Sequence, residues 1–274
     1  MSLGIAFKGP EGIVLAADSR VTLLTLQPPL PGQTVPMLAA STFDNARKLL
    51  RPAGQQFIGI VTYGAGALGT TAPRTAHSFM PDFERELEGA GRLAVKAFAE
   101  RLSAFFLEKW QSLMPADLGP GQDMIFLVGG FDADAAYGTV YDIVIPTRPE
   151  PVEQCAGTFG LTWGGQREIV DRILQGFDER AIPAIREQLN ATEEQGLALR
   201  EHMKQTLSLQ IPYQFLPLQD CVDLATLLVH TTAQLQTWVV GVRGVGGPVD
   251  VATVTRTEGL VELQMKKVQG EDFL

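Results

Sequence analysis

The order of periodic segments predicts an α+β fold in which two antiparallel sheets are stacked and covered by helices. Three observations carry this. The chain opens on a glycine-turn hairpin of apolar runs; amphipathic helical stretches interrupt the strand-like segments twice; and it closes on strands again.

The hairpin comes first. Leu3 to Lys8 and Gly12 to Ala17 are apolar runs on either side of Gly9-Pro10-Glu11-Gly12, which has the Gly and Pro chemistry of a turn. Closure around Pro10-Glu11 pairs residues whose numbers sum to about 21, and so brings Ser2 close to Asp18. The second run ends abruptly in Asp18-Ser19-Arg20, a buried strand with charge at its tip. Residues Leu23 to Ala40 contain four prolines and are expected to form a surface loop. Arg47 to Leu50 and Gln56 to Tyr63 read as two more strands, the second apolar on both faces.

Val95, Phe98, Leu102 and Phe105 recur at spacings of three and four, the stripe of a helix packed on a sheet. Met124 to Gly130 and Thr139 to Ile145 form a predicted strand pair around the turn Asp132 to Gly138. Helical patterns run from Gln166 to Lys204, with a break expected near Pro183, and from Leu218 to Thr237. Trp238 to Val242, Val249 to Thr255 and Leu260 to Met265 are the expected closing strands.

Composition narrows the function. With 274 residues, 45% of them hydrophobic, the chain is read as one domain over 1–274. A net charge of -9 argues against nonspecific nucleic-acid binding, which needs a basic face. The two cysteines, Cys155 and Cys221, are too few for a disulfide framework or a zinc cluster and point to a reducing compartment. No apolar run approaches the roughly 20 residues of a membrane span, and the start lacks a basic segment followed by an apolar one, so the expectation is a cytoplasmic protein with no membrane partner.

Read as G-I-x-x-K-x-x-x-G-I-V-L-A-A-D-S-R, the hairpin resembles the opening of the proteasome-type subunits of the N-terminal nucleophile (Ntn) hydrolase superfamily. Ser41-Thr42-Phe43 with Arg47-Lys48-Leu49, Phe57 to Gly64, and Leu127-Val128-Gly129-Gly130-Phe131-Asp132 agree with that family in order. Thr162 to Gly165 leading into Ile169 to Leu174, and Val245 to Asp250, are similar to its bacterial Anbu branch. The resemblance implies a four-layer αββα sandwich, hydrolysis of peptide or amide bonds without a cofactor or metal, and a homo-oligomer acting on a peptide or protein substrate.

The site residues follow by position. Ser2, once Met1 is removed, would be the N-terminal residue, its own α-amine (pKa roughly 7.7 to 8.0) serving as base for its hydroxyl. Lys48 beside the hydroxyl would favour the alkoxide, Asp18 would hold the lysine charged, and the backbone at Gly64 fits the oxyanion hole. Asp18 and Lys48 lie further apart in sequence than in the family, which makes the proline-rich stretch between them an insertion near the site.

Three departures leave two readings open: the alternative, a catalytically inactive structural subunit, or a branch such as Anbu whose accessory residues differ. The family has two more residues between its nucleophile and the glycine matching Gly4. Its accessory Asp and Ser fall on Arg243-Gly244-Val245-Gly246-Gly247, and the serine of its glycine-flanked motif is Thr162. Gly64-Ala65-Gly66-Ala67-Leu68-Gly69 matches the dinucleotide pattern literally, but Ser78 to Leu87 has helical composition where a second strand is required, so the glycines read as a strand-to-helix corner. His77, His202 and His230 lack the spacing of a metal site, and the cysteines read as small core residues.

Overall fold

The computed structural model describes residues 2–27, 37–70, 72–115 and 121–267, with the side chains of 24–27 and 37–40 left aside. The chain divides into two compact units, residues 1–165 with 213–274, and residues 166–212.

In the larger unit, the predicted hairpin is β1 (Leu3–Lys8) and β2 (Ile13–Ala17), in the register Gly4↔Ala17 to Lys8↔Ile13. Both strands are buried on both faces, because β1 and β2 lie inside a sheet of order β12-β1-β2-β13-β14. Here β12 is Gly160–Gly165, β13 Asp250–Thr255 and β14 Gly259–Gln264. The second sheet has the order β11-β10-β9-β6-β5, with β5 Leu49–Leu50, β6 Ile58–Gly64, β9 Met124–Gly130, β10 Thr139–Ile145 and β11 Arg148–Gln154.

Alternation along β6 builds two cores at once. Ile58 and Ile60 face a cluster with Phe79, Phe83, Phe98 and Phe106 of two helices, α1 (Ala76–Glu86) and α2 (Val95–Leu113). Val61 and Tyr63 face Ile13, Leu15 and Ala252 of the other sheet. The outer face of that sheet is covered by α6 (Leu218–Trp238), which packs on β1, β2 and β13 through Cys221, Ala225, Leu228 and Thr232. Helix, sheet, sheet, helix is the expected four-layer α+β sandwich. A Cβ on Gly4 or on its register partner Gly164 would strike the Tyr63 ring, so these glycines make the slot that seats Tyr63 next to Gly64.

Several expectations are corrected. Leu23 to Ala40 is not wholly loop: β3 (Val21–Gln27) pairs with β4 (Met37–Phe43), because the prolines are confined to 28–36, which lie outside the described residues. β11 escapes sequence reading because Pro149 and Pro151 interrupt it, which an edge strand tolerates. Trp238 ends α6 instead of starting a strand, and Val239, Val240 and Val242 are exposed.

The smaller unit is helical: α3 (Glu168–Leu174), α4 (Ala181–Leu189) and α5 (Glu193–Leu207). Its break falls at Gln175 to Arg180, where Gly176 takes φ +79, and not at Pro183. Pro183 sits in the first turn of α4, where a missing N–H costs no intrahelical bond. Thr192 and Gln195 close a capping box on α5.

Candidate active site

Asp18 follows β2 directly and is fully buried. Its Oδ1 accepts from the Leu3 amide at 2.9 Å and from Lys48 Nζ at 2.7 Å; Oδ2 accepts from the amides of Arg20 and Gly246, each at 3.0 Å. Lys48 enters just ahead of β5 and is 5% exposed. Its ammonium also donates to the Arg20 carbonyl at 2.6 Å. Burial moves the Lys48 pKa below its ordinary value, against the pull of Asp18.

Ser2 is 5% exposed and immediately precedes β1. Its carbonyl lies against Gly165, where φ is +93 and a Cβ would collide with it. Gly64 ends β6 with φ +86, packed so closely on the Asp123 carbonyl that a Cβ has no room. Ser2, Lys48 and Gly64 line one cleft of about 320 Å³ together with Thr62, Arg47 and His77, while Asp18 stands behind Lys48. A larger groove of 470 Å³ lies over α1 and α2, but its Arg74 is held by Asp82 and stacked on Phe79.

Two supports were invisible in the sequence. Gly246 acts through its backbone: its amide donates to Asp18, and its carbonyl accepts from the Ser19 amide at 3.0 Å. A Cβ at Gly246 would press on the Arg20 guanidinium, which is forked onto Asp44 at 2.6 and 2.7 Å. Behind this lies a second buried pair, Asp250 with Lys266, whose ammonium donates to Ser19 Oγ at 2.8 Å. Asp250 opens a strand of Val, Ala and Thr, and Lys266 lies beyond the end of the strand hairpinned to it, a pattern too common to single them out.

The remaining candidates lie elsewhere. Among the described residues no group of His, Cys, Asp and Glu could hold a metal ion. Cys221 is buried against Gly9, and its thiol is pushed up to about 11 by burial, the reverse of a nucleophile's shift. The glycines from 64 to 69 turn into the short pair β7 (Ala67–Leu68) and β8 (Arg74–Thr75) ahead of α1, which is a corner and not a βαβ crossover.

No family model matches the sequence, and no curated protein matches it. Among solved structures, the chain is similar to an Anbu (Gly-1) mutant from Hyphomicrobium sp. strain MC1, with a TM-score of 0.55 at 14% identity over 100% of this chain and 89% of that one. The chain has a proteasome-like Ntn hydrolase fold. The amino-terminal hairpin β1–β2 runs through the middle of one of the two stacked sheets. Among the described residues no helix is long and apolar enough to cross a membrane.

Proposed function

We propose that the protein is an Ntn hydrolase of peptide or amide bonds that uses Ser2 as its nucleophile and works in a homo-oligomer, with residues 1–274 forming one Ntn domain. The observation that carries this reading is the position of the buried Lys48–Asp18 pair. Asp18 also holds the amide of Leu3, the residue next to Ser2, and Lys48 lines the cleft that Ser2 and Gly64 line.

With Met1 removed, the free α-amine of Ser2 takes the hydroxyl proton as Oγ bonds to the substrate carbonyl carbon. The carbonyl oxygen becomes an oxyanion, placed at the Gly64 backbone amide. The C–N bond then breaks, the proton passes to the leaving amine, and an acyl ester remains on Ser2. Water attacks that ester, its proton returning through the amine, and the acid is released with the hydroxyl restored. Lys48, which lines the same cleft and whose pKa is lowered by burial, would share the proton on Oγ. No step calls for a cofactor.

The test is intact mass before and after a β-lactone probe. Loss of Met1 with a single adduct that disappears in Ser2→Ala supports the reading, and so does turnover lost in the same variant. A retained Met1 with no adduct favours the second reading, a catalytically silent subunit, to which the absence of an accessory acid or hydroxyl at 243–247 points.

A further inference from the structure

The cleft carries a charge opposite to that of the chain. The protein has a net charge of -9, yet among the described residues no Asp or Glu lines the cleft, while Arg47, Lys48 and His77 do. The two cations differ in what they are committed to, and His77, whose pKa is lowered by burial and then by the Arg47 charge, adds a neutral imidazole. Lys48 is bound to Asp18, and Arg20 nearby is neutralised by Asp44. Arg47 makes no ion pair among the described residues and stands exposed at the mouth, close enough for its charge to act on His77. Glu84, whose charge also reaches His77, lies outside the lining and accepts from the Ala53 amide at 2.7 Å.

A second observation is independent of charge. Thr62 lines the cleft at 7% exposure, and its Oγ1 is buried without a hydrogen-bond partner among the described residues. A buried hydroxyl without an acceptor is costly, and one facing a cleft can be satisfied by a ligand. Val21, Ala46, Ala65, Gly66 and Ala76 are small and leave room for a side chain of modest size.

We infer that this cleft selects an acidic substrate: the residue whose carbonyl is attacked carries a carboxylate, which Thr62 Oγ1 meets as donor and Arg47 and His77 meet from the mouth. The inference rests on the proposed hydrolysis at Ser2, which it supplies with a substrate class. A side-chain carboxylate satisfies the hydroxyl and answers the guanidinium together, as no apolar or basic side chain can.

The experiment compares two fluorogenic tripeptide amides that differ only in glutamate or glutamine at the residue bearing the scissile carbonyl, along with the affinity of the same peptides for Ser2→Ala protein. The expected preference for glutamate is about fivefold at low salt, for a partly exposed ion pair. It shrinks toward unity at about 1 M salt, and it falls in both Arg47→Gln and Thr62→Val. Equal or better use of glutamine, no binding of either peptide, or an unchanged ratio in Arg47→Gln overturns the inference. Binding to Ser2→Ala needs no nucleophile, so a glutamate preference in binding without any wild-type turnover removes the proposed hydrolysis and leaves the acidic selectivity standing.

Discussion

The amide of Gly246 donates to Oδ2 of Asp18 at 3.0 Å across 228 positions of chain, fastening the segment before β13 to the open end of the amino-terminal hairpin. Asp18 therefore joins three backbone segments, through Leu3, Arg20 and Gly246, to one ammonium, that of Lys48. Removing its charge tests both the fold and the chemistry. Asp18→Asn is expected to lower stability by about 3 kcal/mol, the scale for breaking a buried pair, and to depress the Lys48 pKa further. Urea unfolding measures the first effect, and the Lys48 Nζ resonance in 15N-lysine protein measures the second.

The pH dependence of stability reports on Lys48 directly. Its folded pKa lies below the ordinary lysine value because of burial, so between the two values the unfolded chain holds a proton that the folded protein lacks. The stability that this group contributes is complete above the unfolded value and is lost as pH falls through the folded one. Wild-type protein should therefore gain stability on Lys48→Met as pH rises toward about 10.4, by up to about 1.4 kcal/mol per pH unit. Parallel unfolding midpoints for the two proteins across that range would contradict it.

Lys266 and Asp250 act on the site at second hand. The charge of Lys266 lowers the Lys48 pKa, and that of Asp250 raises it. Lys266→Met leaves Asp250 buried without its cation and is expected to cost about 3 kcal/mol. It should also move the rising limb of the kcat/KM profile to higher pH. The double variant Lys266→Met/Asp250→Asn should recover most of the stability, and a thermodynamic cycle of urea midpoints measures the coupling.

Gly64→Ala puts a Cβ onto the Asp123 carbonyl at a φ of +86. The expected loss is at least about 2 kcal/mol. Turnover should fall by more than the folded fraction does, because the backbone proposed to meet the oxyanion shifts with it. Rates normalised to folded protein by circular dichroism separate the two effects.

Local pattern predicted the elements that bury a regular face. β9 and β10 begin and end where alternation and apolar content place them, and the stripe Val95, Phe98, Leu102 and Phe105 lies wholly inside the core. Elements at the rim were harder to read. β11 carries prolines because an edge strand leaves one side of its ladder unpaired, and the apolar run from Trp238 to Val242 has strand composition but no strand partner.

By itself the sequence determined the hairpin and its register, and hence that Leu3, the neighbour of Ser2, lies opposite Asp18, because a turn of Gly and Pro leaves a short loop few ways to close. It also placed Lys48 and Gly64 at strand ends. The tertiary structure alone decided what supports them. Gly246 serves Asp18 through backbone groups that every residue possesses, so no side-chain pattern could reveal it. The Lys266–Asp250 pair and the cleft that joins Arg47, Thr62 and His77 bring together residues from separate segments, and burial and charge at such a place depend on three-dimensional distance.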